Sequence, residues 1–267
     1  MAARPATNSW GLTEFMRPER PSLGDTVVTA LVERIVGARL EAGTALPSEL
    51  EIGEQLGVSR TVVRESLKRL QSKGLILSRQ GVGAVVLPMA SWDLIDDVVL
   101  DALVRHDDSL AILDDLVRVR AALEMMMAEE AARRPLPPSL APAPSSRPRP
   151  PDADTAEGLE RIRAALVQME EVRSSTVDFA KADVEFHAAI MELSGNLLGQ
   201  AIVTSIHDKA RTTDRYHGAT SDERFRVTLE EHRVILAAIA EGRPVDAGRF
   251  MRAHIVDSWA RRRLDTA

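Results

Sequence analysis

Residues 46–86 read LPSELEIGEQLGVSRTVVRESLKRLQSKGLILSRQGVGAVV, two short helices around a tight turn followed by a glycine-pivoted hairpin. Pro47 and Ser48 open the first helix. Glu51, three residues after Ser48, completes a capping box in which each side chain meets a backbone N–H left free at the helix start. Gly57 breaks that helix and Ser59 caps the next, whose Val62, Val63, Leu67 and Leu70 recur at three- and four-residue steps as one apolar stripe. Arg60, Thr61, Arg64, Lys68 and Arg69 lie mostly off the stripe. Gly74 ends the helix, since a left-handed cap costs glycine nothing. Leu75–Leu77 and Ala84–Leu87 are expected to pair as strands around Gly81 and Gly83, with Pro88 stopping the second. The pattern predicts a winged helix-turn-helix and therefore DNA as a partner.

Charge sharpens this expectation. Residues 57–83 hold six Lys and Arg against Glu65 alone, a net +5, whereas the whole chain carries −6, leaving −11 outside the window. A protein that coats polyanions in general would not segregate charge so sharply. A solvated basic helix face is the plain alternative for any single amphipathic helix. Cap, turn, helix and wing in the right order favour DNA. An arginine on such a helix can fork onto guanine O6 and N7, which suits Arg64 and Arg60, while Lys68, Arg69 and Arg79 fit phosphate contacts or surface charge.

At 267 residues, with 45% hydrophobic and 28% charged positions, the chain has material for two domains of ordinary globular composition. It has no cysteine, which excludes disulfides and thiolate metal sites and fits a reducing cytoplasm. Residues 1–22 lack a continuous apolar run and are expected to form a flexible tail rather than a signal peptide; no stretch suits a membrane. The DNA-binding domain is expected over 23–88 and a linker or connecting helix over 89–108. A helical domain follows over 109–267, with a Pro-rich insertion at 135–154. Helical spacing spans Trp92–Leu103, Leu110–Arg134, Ala156–Arg173, Val177–Ser194, Leu197–Tyr216, Ser221–Gly242 and Pro244–Leu264. The expected fold is mainly α: an N-terminal winged helix-turn-helix of three helices with a small β-hairpin wing, then an all-α antiparallel helix bundle.

Asp183 and His187 stand four residues apart, one turn along a helix face. His232 and His254 fall on two further expected helices. Three imidazoles and a carboxylate suit a divalent cation such as zinc, nickel or manganese. Spacing alone is also met by a buried Asp–His hydrogen bond and two unrelated histidines.

Residues 23–88, through LPSE, VSRTVVRESLKRL and KGLI…RQGVG, resemble the DNA-binding domain of the GntR family of bacterial transcription regulators. The resemblance implies operator contacts by Arg60, Thr61, Arg64 and Gly81. Leu50 stands where an arginine is common, and Val82 where a basic residue is frequent. ADVEFHAAIMELSGN, EEHRVILAAIAEG and MRAHI resemble the FCD ligand-binding domain of the FadR-like branch. That implies a metal held by Asp183, His187, His232 and His254. Arg120 and Glu124, in VRVRAALEMMMAEEAA, match another segment of that domain, although the Pro-rich continuation departs from it.

The resemblance implies a small carboxylate effector, a sugar acid or another organic acid, with Arg120 as an anion contact. An i,i+4 pair with Glu124 is the structural alternative for Arg120. Asn196 is expected as a helix cap or an effector contact, and His207 as a further residue near the effector. The expected protein is cytoplasmic and not an enzyme, a homodimer because two winged helices reading half-sites of a palindromic double-stranded operator gain affinity, and a repressor or an activator according to where that operator lies. The other class considered is a metal-dependent hydrolase fused to a DNA-binding module. Its general base is missing from the pattern, because Glu185 leans away from the face of Asp183 and His187.

Overall fold

A computed structural model describes residues 22–79, 83–134, 155–210 and 221–264. Most of the expected tail, the wing tip with Gly81 and the Pro-rich insertion lie outside the described residues. Contacts divide the chain into two units, at Ala102 and Leu103.

In the first unit, α1 (Leu23–Gly37) begins at Ser22, whose hydroxyl accepts from Asp25 N while Asp25 accepts from Ser22 N. Ser22 is thus a capping-box residue rather than the end of a tail. α1 packs against α3 (Arg60–Ser72), with Val28, Val32 and Ile35 of the one and Val63 and Leu70 of the other buried. Ser66 joins that buried stripe because its hydroxyl donates to Gly24 O at 3.3 Å. Between them, α2 (Glu49–Leu56) carries the expected Ser48–Glu51 capping box. It ends at Gly57, whose φ of +66° makes the tight turn.

The hairpin pairs β1 (Ile76–Arg79) with β2 (Gly83–Val86) antiparallel, Ile76 opposite Val86 and Arg79 opposite Gly83. Residues 43–46 bond to the free edge of β2, through Gly43 N to Val86 O, Val86 N to Thr44 O and Leu46 N to Ala84 O. This third partner ties the loop before α2 to the wing. Gly74, with φ +72°, closes α3, and an added Cβ would meet the Ser91 carbonyl oxygen at 1.9 Å. The chain there passes so close to residues after the wing that only glycine fits. The helix expected from Trp92 starts later: α4 (Asp97–Arg105) is capped by Asp96, whose carboxylate accepts from Val98 N and Val99 N. Trp92 instead donates its indole N–H to Leu87 O at 2.9 Å.

Every regular element among the described residues of the second unit is a helix. The unit comprises α5 (Ala111–Arg133), α6 (Thr155–Glu171), α7 (Thr176–Ser194), α8 (Leu197–Ala210), α9 (Asp222–Ala240) and α10 (Pro244–Leu264). α5 packs along α10 and also meets α7 and α8, while α6 lies against α7 and α9. Phe186, Met127, Ile162, Met169, Ile235 and Ile239 fill the interior. Asp114 of α5 accepts from the Trp259 indole at 2.7 Å and pairs with Arg263 at 3.1 Å, fastening the end of α10. No described helix is long and apolar enough to cross a membrane.

Candidate nucleic-acid interface and metal centre

At the start of α3, Ser59 accepts from Val62 N, and Arg60, Thr61, Arg64 and Lys68 of this helix are exposed. Arg64 is held from α2: its Nε donates to Glu49 Oε1 at 3.2 Å and Nη2 to Oε2 at 3.0 Å. The hydrogen bond from Arg64, with its charge and that of Arg60, holds the Glu49 carboxyl below its ordinary value. Lys68 pairs with Glu65 on its own helix at 2.9 Å, and Arg69 reaches Asp25 of α1 at 2.8 Å. Arg69 therefore braces α1 against α3 as well as adding charge. Arg79 ends β1 opposite Gly83, which places it at the base of the wing; Gly81 lies outside the described residues. Leu50, in the first turn of α2, is an exposed leucine.

In the second unit, Asp183 and His187 project from α7, His232 from α9 and His254 from α10. One ligand atom from each lies within 4.8 Å of every other. All three imidazoles are buried and Asp183 is partly so. His232 Nε2 stands 3.1 Å from His254 Nε2 and 3.6 Å from Asp183 Oδ1.

The opposite ring nitrogens explain the orientation. His187 Nδ1 lies 2.5 Å from Glu124 Oε2, and His254 Nδ1 lies 2.7 Å from Glu231 Oε2. A carboxylate accepts, so each Nδ1 carries the proton and each Nε2 presents its lone pair. His232 Nδ1 faces the Met169 sulfur at 3.3 Å, while Phe186 stacks on its ring with centroids 4.1 Å apart. His187 Nε2 is buried without a hydrogen-bond partner. Lone pairs and a carboxylate converging in a buried space repel one another unless a proton or cation lies between them.

The electrostatics agree. Burial pushes the His232 pKa well below its ordinary value, and the charge of His254 adds to that. Burial, with the charge of His187, pushes His254 down to about 3. Both rings are therefore neutral at pH 7, the form that binds metals. For Asp183, burial alone would raise the pKa, but the neighbouring His187, His232 and His254 rings and the charge of Arg262 outweigh it and hold the carboxyl below its ordinary value. Three nitrogen donors and one hard oxygen donor fit a borderline divalent cation.

Arg120 Nε donates to Glu124 Oε1 at 2.5 Å, both side chains being buried. This is the i,i+4 pair. It places Arg120 behind the carboxylate that orients His187. Asn196 Oδ1 accepts from Gly199 N at 3.0 Å, the cap geometry at the start of α8. His207 lies on α8, its side chain outside the described positions. Glu185 is exposed, away from the cluster.

Glu231 was absent from the sequence expectations although it directly precedes His232. Successive helical residues point about 100° apart, so Glu231 turns from the His232 side to meet His254 of the next helix, where Arg261 also reaches it at 3.0 Å. A carboxylate adjoining a ligand histidine was the available signal; its partner, 23 residues away, was not.

Residues 23–86 match the family described as bacterial regulatory proteins, gntR family, and residues 152–257 match the FCD domain. The chain is 27% identical over 222 residues to the uncharacterized HTH-type transcriptional regulator YieP of Escherichia coli K12, covering 82% of this chain and 86% of that one. It is 26% identical over 215 residues to the galactonate operon transcriptional repressor of the same organism, covering 80% and 86%. It is also 26% identical over 259 residues to the HTH-type transcriptional repressor NanR of Cronobacter sakazakii, covering 96% and 91%. A solved structure described as Lar, which controls expression of the Listeria monocytogenes agr system, has a TM-score of 0.52 at 18% identity. The match covers 93% of this chain and 98% of that one, a likeness of fold alone. Family and relatives are those of regulators rather than hydrolases. With a helix-turn-helix unit of one family match followed by a bundle of the other, the chain belongs to the GntR family as a DNA-binding transcription regulator with an FCD domain.

Proposed function

We propose that this regulator is a homodimeric repressor whose second unit senses a small carboxylate through a divalent metal held by Asp183, His187, His232 and His254. The observation that carries this reading is the convergence of those four ligand atoms within 4.8 Å, with His187 Nε2 buried and unpartnered. When bound, a zinc, nickel or manganese ion supplies a Lewis-acid position that accepts an anionic oxygen. The protein's own residues do the rest: Glu124 and Glu231 hold the His187 and His254 rings in the ligating tautomer, and burial keeps His232 and His254 neutral. Arg120 contributes positive charge at the cluster, acting on His254, and is the proposed anion contact. Asn196 is the weaker effector candidate, since its carbonyl already caps α8.

In the first unit, Arg60, Thr61, Arg64, Lys68, Arg79 and Gly81 form the proposed DNA surface. Arg64 and Arg60 read base edges and the others position the duplex by its phosphates. A dimer reading two half-sites gains affinity and a palindrome requirement. The galactonate operon repressor and NanR, both named as repressors, support the polarity, and the first supports a sugar acid as effector class.

The test begins with an operator selected from random duplex DNA by the full-length protein. Titration calorimetry of chelator-treated protein with zinc, nickel and manganese should show one site per chain, lost in His232→Ala. Galactonate and L-lactate are then added to the metal-loaded operator complex, and at least one such carboxylate should change its affinity by about fivefold or more. Absence of stoichiometric metal uptake, or an operator affinity indifferent to carboxylates, overturns the sensing half. Light scattering that shows a monomer at operator-binding concentrations overturns the dimer.

A further inference from the structure

We infer that Glu49 is a specificity-determining positioning residue: it holds the Arg64 guanidinium from the side so that its outer edge is presented to a guanine. This rests on the proposed reading of Arg64 as a base-contacting residue. An arginine carries five N–H donors in a planar fork. Glu49 takes the Nε hydrogen and one on Nη2, at 3.2 and 3.0 Å. The remaining hydrogens lie on the end of the fork, on Nη1 and Nη2, and two parallel donors there match guanine O6 and N7. A side-on carboxylate and an end-on base therefore occupy different edges of the same guanidinium.

The neighbouring cations are arranged otherwise. Lys68 meets Glu65 through a single ammonium contact on its own helix, and Arg69 is directed to Asp25 of α1. Among the paired cations of α3, only Arg64 is gripped by both oxygens of a carboxylate on α2. Glu49 is free for this because Glu51, not Glu49, serves the Ser48 capping box. The pair is exposed, 62% at Arg64 and 37% at Glu49, so it contributes little to stability. Its effect is orientation: a long side chain already confined loses less freedom on meeting a base. The same carboxylate repels phosphate, so it lowers affinity for DNA of any sequence while sharpening choice among sequences.

The experiment uses full-length protein and duplexes carrying each single base-pair change in the operator selected by the wild type. Arg64→Ala identifies the base pair that Arg64 reads, as the position whose preference disappears. Glu49→Gln should relax preference at that same position by roughly five- to tenfold, leave the other positions unchanged, and bind random-sequence duplex at least as tightly as wild type. Glu49→Asp, one methylene shorter, should fall between the two. Melting temperatures within a degree or two of wild type show that the fold is retained.

If Arg64→Ala erases a preference that Glu49→Gln leaves intact, the inference fails and the reading of Arg64 stands. The inference fails too if Glu49→Gln weakens all positions alike. If Arg64→Ala relaxes no position, the base-reading assignment itself falls, and the role of Glu49 with it.

Discussion

Replacing Glu124 by Gln should destabilise the second unit by about 3 kcal/mol at pH 7. Glu124 is 1% exposed and meets two groups at once, Arg120 Nε and His187 Nδ1, each at 2.5 Å. A glutamine keeps the shape but not the charge, and its single carbonyl cannot serve both donors. Removing one member of a buried ion pair costs about 3–5 kcal/mol, because the other charge stays buried. The lower end applies here, since one hydrogen bond survives. For a unit of this size the loss corresponds to a fall of roughly 6–12 °C in melting temperature.

The pH dependence supplies a second readout. Burial alone would raise the Glu124 pKa, but the charge of Arg120, the adjoining His187 ring and the hydrogen bonds from both outweigh it and hold the carboxyl well below its ordinary 4.5. A carboxylate depressed in the fold stabilises above its unfolded value, and that contribution is lost as pH falls from there towards the folded value. The gap between variant and wild type should thus be full at pH 7 and narrow below about pH 4.5. Urea denaturation of chelator-treated protein, followed by Trp259 fluorescence, measures both. A cost under about 1 kcal/mol, or a gap that does not depend on acidity, would refute the reasoning. Arg120→Leu combined with Glu124→Leu should cost less than the sum of the single changes, since no charge is left behind.

Gly74→Ala should destabilise the first unit by about 2–4 kcal/mol, from the left-handed φ and the clash with Ser91 O; equilibrium denaturation of the variant checks it. In metal-free protein, His232 and His254 stay neutral in the fold while their unfolded forms charge below about pH 6.5. Because the unfolded chain then binds more protons, stability should fall by about 2 kcal/mol per histidine between pH 7 and pH 5; denaturation at the two pH values decides it, and a flat profile contradicts it. Glu231→Gln should weaken metal binding by about 10–100-fold, read by calorimetry, with DNA binding by the metal-free protein unchanged. Arg64→Ala should weaken operator binding in a mobility-shift assay, erase the preference at the base pair Arg64 reads and leave the salt-sensitive binding of random-sequence duplex.

Local chemistry was legible in the chain itself. The Ser48–Glu51 box, the Gly57 turn, the Ser59 cap and the Gly74 stop each act within a few residues, and their backbone hydrogen bonds form much as the residue types require. Helix α4 shows the limit: apolar spacing suggested a start at Trp92, but Asp96 supplies the cap and Trp92 turns its indole to Leu87 O. Asp183 and His187 share a face by helical period alone. Their meeting with His232 and His254 depends on how α7, α9 and α10 are rotated against one another.

The cations of α3, the capped helices and the candidate ligand types were therefore determined by the chain's own order of residues. Tertiary structure decided the partners: Glu49 for Arg64, Glu124 for His187, Glu231 for His254 and Met169 for His232. The separations are 15, 63, 23 and 63 residues. The physical reason is range. Caps and turns are settled by hydrogen bonds within one turn of backbone, whereas a side chain's partner on another helix follows from the packing of whole apolar faces, which sets each helix's rotation and depth.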